Sequence, residues 1–192
     1  MHTVLADLIA SEGVVEDLVL RGQTGVMALH GGLEAGTAEA ARACARKAGA
    51  SLYVVEQPED IAWHIPSTQY DPGQSAKLKS FLEHVRLSVS IHGFGRRGFE
   101  STVLVGGRNE PMRARVSEAI RRRTAVVVHS DPEEVPSGLR GLHPRNPVNL
   151  VELGGVQIEL GPELRSGPVI DGIVDAVAVV LAAEQASICA RP

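Results

Sequence analysis

The chain is poor in several things, and each shortage removes a class of protein. It has two cysteines, Cys44 and Cys189, in 192 residues. Two distant thiols make no disulfide framework, which excludes a small stapled scaffold. It has no excess of positive charge: 19 Lys and Arg against 23 Asp and Glu leave a net charge of −4, without the basic footprint of a nucleic-acid binder. No uninterrupted apolar run reaches membrane length. The most apolar stretch, residues 169 to 183, carries Asp171 and Asp175 and is too short to span a bilayer. The first residues lack the basic segment, apolar run and small-residue cleavage site of a leader. There is no internal repeat and no low-complexity segment. The glycine-rich turn at residues 31 to 36 is no phosphate loop, because no Lys-Ser/Thr pair follows it and a carboxylate stands where an anion would sit. These absences leave a cytoplasmic, globular protein with neither nucleic acid nor membrane as partner. Its length suits one sizeable core, read as a single domain over residues 1–192.

What is present alternates between strand and helix signals. Val26 to Leu29 is a short apolar run that reads as a buried strand. It delivers His30, Gly31, Gly32 and Glu34 into a turn. Thr37 then reads as the N-cap of a helix over Ala38 to Ala48, stopped by Gly49. Ser51 to Val55 is β-rich, residues 62 to 66 read as extended because Ile65 precedes a proline, and Asp71-Pro72-Gly73 reads as a turn. Leu78, Phe81, Leu82 and Val85 recur at helical spacing. Strands follow at Leu87 to His92, Ser101 to Val105, Ala125 to Val128 and Val156 to Leu160. Pro111 opens a helix with Met112, Val116, Ala119 and Ile120 on one face, and a last helix covers residues 169 to 185. The proline-rich residues 130 to 149 read as a long loop ending near a site. In the first 24 residues only Val14-Val15 and Leu18 to Leu20 suggest a strand. The pattern predicts an α/β fold: a single-domain mixed β-sheet flanked by helices on both faces.

Three polar residues close or interrupt these apolar strands: His30, His92 and Glu159. A buried strand carries a carboxylate only where it has a partner, because desolvating the charge is costly. In an open α/β sheet, ligands sit beyond the carboxyl ends of the strands, where His30 and Glu34 would stand. Two histidines and one carboxylate with an open fourth position form the ligand set of a hydrolytic zinc site, and a second carboxylate then activates water. Glu34 is the natural third ligand and Glu159 the natural general base. Each residue also has a plainer reading. A strand-end histidine is often only hydrogen-bonded, Glu34 can be a solvated loop residue, and Glu159 can face solvent from an edge strand. Glu39 suits the dipole of a helix first turn. His64 is either a substrate contact or a loop side chain. His2, His84, His129 and His143 read as surface residues, and both cysteines as incidental thiols.

Taken in order, these segments resemble a known family. The run Ala28-Leu29-His30-Gly31-Gly32-Leu33-Glu34-Ala35-Gly36-Thr37-Ala38-Glu39 is similar to the signature of the poly-γ-glutamate hydrolases, known from phages and bacteria. The likeness continues through His64-Ile65-Pro66-Ser67-Thr68, Ser90-Ile91-His92-Gly93, Val105-Gly106-Gly107-Arg108, Asn146-Pro147-Val148-Asn149 and Gly155 to Leu160, closing at Leu164-Arg165. The resemblance implies a zinc-carboxypeptidase-like fold and cleavage of γ-glutamyl amide bonds. It implies Zn2+ held by His30, Glu34 and His92, with Glu39 as the alternative acid, and Glu159 as the base. It implies Arg165 and Asn149 as grips for a substrate carboxylate. Arg145, in the same proline-rich loop, replaces the arginine that commonly follows the asparagine in zinc carboxypeptidases, where this chain has Leu150. The implied partner is an anionic γ-glutamyl polymer or a small acyl-amino acid. Two other readings stay open: a zinc deacylase or small carboxypeptidase, and a non-catalytic binding module on the same scaffold.

Overall fold

The computed structural model describes residues 5–190. His2 lies outside them. The centre is a seven-stranded sheet: β1 Val15–Val19, β2 Thr24–Gly31, β3 Ser51–Glu56, β4 Leu87–Gly93, β5 Thr102–Gly106, β6 Val127–His129 and β7 Gly155–Leu160. Their spatial order is β1-β3-β2-β4-β7-β5-β6. The inner strands β3, β2, β4 and β7 run parallel, while β1 pairs antiparallel with β3, and β5 antiparallel with β7. The mixed sheet follows from the connections, because helices return the chain across the sheet between the parallel strands.

Helices α2 Thr37–Ala48, α4 Glu110–Arg123 and α5 Gly167–Cys189 cover one face, and α1 Leu5–Ile9 and α3 Ala76–His84 cover the other. Small residues let α2 approach closely: Ala38, Ala41 and Ala45 are fully buried against Val26, Ala28 and Val54. The opposite core is built from larger side chains, among them Met27, Leu29, Tyr53, Leu78 and Phe81. Two-residue alternation sorts the inner strands. Leu87, Val89 and Ile91 of β4, and Val156, Ile158 and Leu160 of β7, join the α2/α4/α5 core. Ser88, Ser90 and His92, with Gln157 and Glu159, therefore share the other face.

Several boundaries differ from the sequence reading. The N-cap of α2 is Gly36, in the left-handed region at φ 87°. Thr37 is the first helical residue, and its hydroxyl donates to the Glu34 carbonyl at 2.7 Å, closing the turn instead of capping the helix. Helix α1 was unforeseen because five residues hold too little periodicity to read. Helix α5 is longer than expected, at 23 residues, and is long and apolar enough to cross a membrane by length and composition alone. In this fold Ile173, Val174, Val177 and Leu181 bury one side of it in the core, while Val179 on the other side is 64% exposed.

Candidate active site

The polar residues meet where β2, β4 and β7 end side by side. His92 and Glu159 are paired neighbours across β4 and β7. His30 reaches the same place through an irregularity. The β2–β3 register slips by one residue between Ala28 and Gly31. Simple alternation would send His30 towards α2 with Val26 and Ala28. The extra residue re-aims it to the opposite face, where its ring meets Tyr70 edge-on at 5.7 Å and lies 5.1 Å from the ring of His92.

The turn after His30 is tightly tied. The Glu34 N–H donates to the His30 carbonyl at 2.8 Å, and the Thr37 N–H and hydroxyl both donate to the Glu34 carbonyl. Gly32 sits at φ 78°, and a Cβ there would lie 1.9 Å from the Gln57 carbonyl oxygen. Only glycine makes this turn at this closeness. The result brings Glu34 Oε1 to 2.9 Å from His30 Nδ1, and Glu34 Oε2 to 3.5 Å from His92 Nδ1 and 2.8 Å from the donating Gly93 N–H. The two histidine Nδ1 atoms are 3.2 Å apart.

This geometry fits a metal ion. His30 Nε2 lies 2.8 Å from the Ile65 carbonyl oxygen. A carbonyl only accepts, so that nitrogen carries a hydrogen, and a neutral imidazole then turns a bare Nδ1 towards Glu34 and His92. His92 Nε2 is 2.6 Å from the Ser90 hydroxyl, which leaves its Nδ1 facing the same point. Electron pairs so directed repel one another unless a proton or a cation sits among them. Tetrahedral zinc with nitrogen and oxygen ligands at 2.0–2.1 Å separates its donors by about 3.3 Å; here the two Nδ1 atoms are 3.2 Å apart, and one Glu34 oxygen lies 2.9 Å from His30 Nδ1 and the other 3.5 Å from His92 Nδ1. The outward ring nitrogens are held by Ile65 and Ser90, as metal-bound histidines usually require.

Burial opposes the charge of Glu34, but hydrogen bonds and charge from His30 and His92 outweigh it and hold its carboxyl far below the usual range. Burial pushes His92 below the ordinary histidine value, against the opposing pull of Glu34. Glu159 behaves oppositely: burial and then the negative charge of Glu34 push its pKa well up. It is 5% exposed, inside an interior strand, so the edge-strand reading does not describe it. Its Oε1 accepts from Gln157 Nε2 at 2.8 Å, and Gln157 Oε1 accepts from Asn146 Nδ2 at 2.7 Å.

A cavity of about 910 Å³ opens over this group, lined by His30, Glu34, His64, His92 and Glu159 on the strand side and by residues 137–143 and Asn146 on the loop side. The other residues singled out from sequence lie outside this lining. Glu39 and Arg165 line a separate cavity of about 650 Å³ between α2 and α5, and the Arg165 guanidinium lies against Gly93 at the edge of the first. Arg145 is exposed and borders a third cavity that shares Thr68 with the first. The Asn149 amide is engaged in holding the loop, donating to the carbonyls of Gly141 and His143. Ser90, Gln157, Asn146 and Tyr70 were not singled out. A signal for the first two was present: they are polar, and they share the strand parity of His92 and Glu159.

The architecture is the zinc-carboxypeptidase-like fold. A metallo-carboxypeptidase from Burkholderia cenocepacia superposes with a TM-score of 0.53 over 96% of this chain and 68% of its own, at 8% identity, a likeness of fold alone. Within that class the chain belongs to the poly-gamma-glutamate hydrolase family, whose model matches residues 14–168. A bacteriophage poly-gamma-glutamate hydrolase superposes with a TM-score of 0.79 at 19% identity, covering 95% of both chains. The zinc-free form of YNDL superposes with a TM-score of 0.78 at 21% identity, covering 94% of this chain and 96% of its own. In sequence, the UPF0714 protein YndL of Bacillus subtilis (strain 168) is 29% identical over 147 residues, 73% of this chain and 54% of its own. The chain spans about half the length of the curated relatives it matches.

Proposed function

We propose that the protein is a zinc-dependent hydrolase of γ-glutamyl amide bonds, with poly-γ-glutamate as the substrate class. The observation that carries this reading is the convergence of His30 Nδ1, His92 Nδ1 and the Glu34 carboxylate at donor separations of 2.9 to 3.5 Å beneath an open cavity. Family membership supports the substrate, and the existence of a zinc-free form of a structural relative supports the metal. His30, Glu34 and His92 hold the ion. Zinc bound there supplies Lewis acidity towards an amide carbonyl and lowers the pKa of water.

The chain's own groups do the rest. Glu159 takes the proton of the attacking water and returns it to the leaving amine. Its raised pKa suits the acid half of that cycle, and the Gln157–Asn146 relay fixes the carboxylate's orientation. Arg145, past Thr68 in the adjoining cavity, takes a carboxylate further along an anionic chain. The test is incubation of the zinc-loaded protein with poly-γ-glutamate, α-linked polyglutamate and acyl-amino acids. Shortening of the γ-linked polymer alone supports the reading. Action on acyl-amino acids alone replaces it with a deacylase, and no hydrolysis of any of the three refutes it.

A further inference from the structure

Two histidines line the cavity without belonging to the zinc site, His64 and His143, and His64 is the one beside the ligands. One donor atom each from His30, Glu34 and His64 all lie within 4.8 Å of one another, and the His30 and His64 ring centroids are 4.9 Å apart. The backbone on both sides of His64 is anchored. On one side the buried Gln57 side chain makes two bonds to Trp63, its Nε2 donating to the carbonyl at 2.9 Å and its Oε1 accepting from the N–H at 3.0 Å. On the other, the Ile65 carbonyl accepts from His30 Nε2. The bond that orients a metal ligand therefore also sets the position of His64. In contrast to His30 and His92, no described residue hydrogen-bonds to either ring nitrogen of His64, and its side chain is exposed at the cavity mouth.

We propose, on the basis of the zinc-site reading, that His64 is a displaceable fourth ligand. It closes the coordination of the ion when no substrate is bound and swings out to leave the fourth position to the attacking water when substrate enters. Bringing a donor that lies within 4.8 Å of its partners to the roughly 3.3 Å edge of a zinc tetrahedron needs at most about 1.5 Å of approach, within the sweep of an exposed imidazole about its side-chain torsions. The exchange moves no proton and no electron: a neutral imidazole nitrogen leaves and a neutral oxygen donor arrives. A fixed backbone with a free ring is what such a ligand needs, close enough to bind and unrestrained enough to leave.

The experiment uses the full chain, with zinc or cobalt(II) alone as probe. Zinc affinity is measured against a competing chelator, and the cobalt(II) absorption spectrum is recorded, for the wild type, His64→Ala and His64→Gln, with circular dichroism to confirm folding. Both variants are expected to bind zinc roughly tenfold or more weakly. The intense visible band of tetrahedral cobalt should weaken in both and return on adding imidazole to His64→Ala. Equal zinc affinity and an unchanged cobalt spectrum in both variants would overturn the proposal while leaving the three-ligand site standing. Failure of the wild type to bind either metal would overturn both.

Discussion

At the scale of residues, the site depends on which nitrogen of each histidine is held and which is offered. Ser90→Ala removes the partner of His92 Nε2 and should weaken zinc binding by about 10–100-fold without unfolding the protein, as read by chelator competition. An unchanged affinity would mean that His92 is oriented by something else. Glu159→Gln is expected to lower kcat by about 10²–10⁴-fold at full zinc occupancy, because it removes the proton carrier and leaves the ligands intact. Cys44 is buried and Cys189 exposed, and burial pushes the Cys44 thiol up to about 12. Alkylation at about pH 8 should therefore mark Cys189 only, with Cys44 reacting after denaturation. The meeting of His30, His92 and Glu159 was legible in the sequence because each puts a costly polar group in or beside an apolar strand, whereas Glu34 was picked out only as the acid that completes a metal-ligand set. Asn146 and Gln157 were not, because the relay they form exists only once the 137–149 loop folds over β7. The placement of Arg165 was not legible either. It follows β7 closely in the chain, yet its side chain packs against Gly93 and lines the cavity between α2 and α5.

At the scale of elements, the informative departure is in β2. Periodicity alone assigns His30 to the α2 face, and only the slip in pairing with β3 returns it to the cavity. A bulge leaves no mark in hydrophobic patterning, so this could not be read beforehand. The turn that follows was legible through its glycines, although its cap was misassigned: Thr37 closes the turn from inside the helix, and Gly36 takes the left-handed cap. Gly32→Ala would place a methyl group against the Gln57 carbonyl in a conformation that L residues avoid. It should lower the melting temperature and, by shifting Glu34, weaken zinc binding. A variant with wild-type stability and affinity would show that the turn has slack. The long loop was recognisable from its prolines as non-helical, and its proximity to the site was foreseen. That Asn149 serves the loop itself, bonding Gly141 and His143, was not.

At the scale of the whole molecule, the mixed sheet with helices on both faces was readable from the alternation of short apolar runs with helical periods. The order β1-β3-β2-β4-β7-β5-β6 was not, because pairing between strands distant in sequence has no local signal. That order places β2, β4 and β7 adjacent and parallel, which assembles the site from residues 30, 92 and 159. An ion bound there links the ends of two strands and a turn, so it stabilises the folded state by mass action. Chelation should lower the melting temperature, and added zinc should restore it in proportion to the logarithm of its free concentration. The most direct measurement is a crystal structure of the zinc-loaded protein with anomalous scattering at the zinc edge. One peak bonded to Nδ1 of His30, Nδ1 of His92 and the Glu34 carboxylate, with Glu159 facing it unbonded, is the result expected. A peak bonded through either Nε2, or one lying at Glu39 away from His92, would contradict the account.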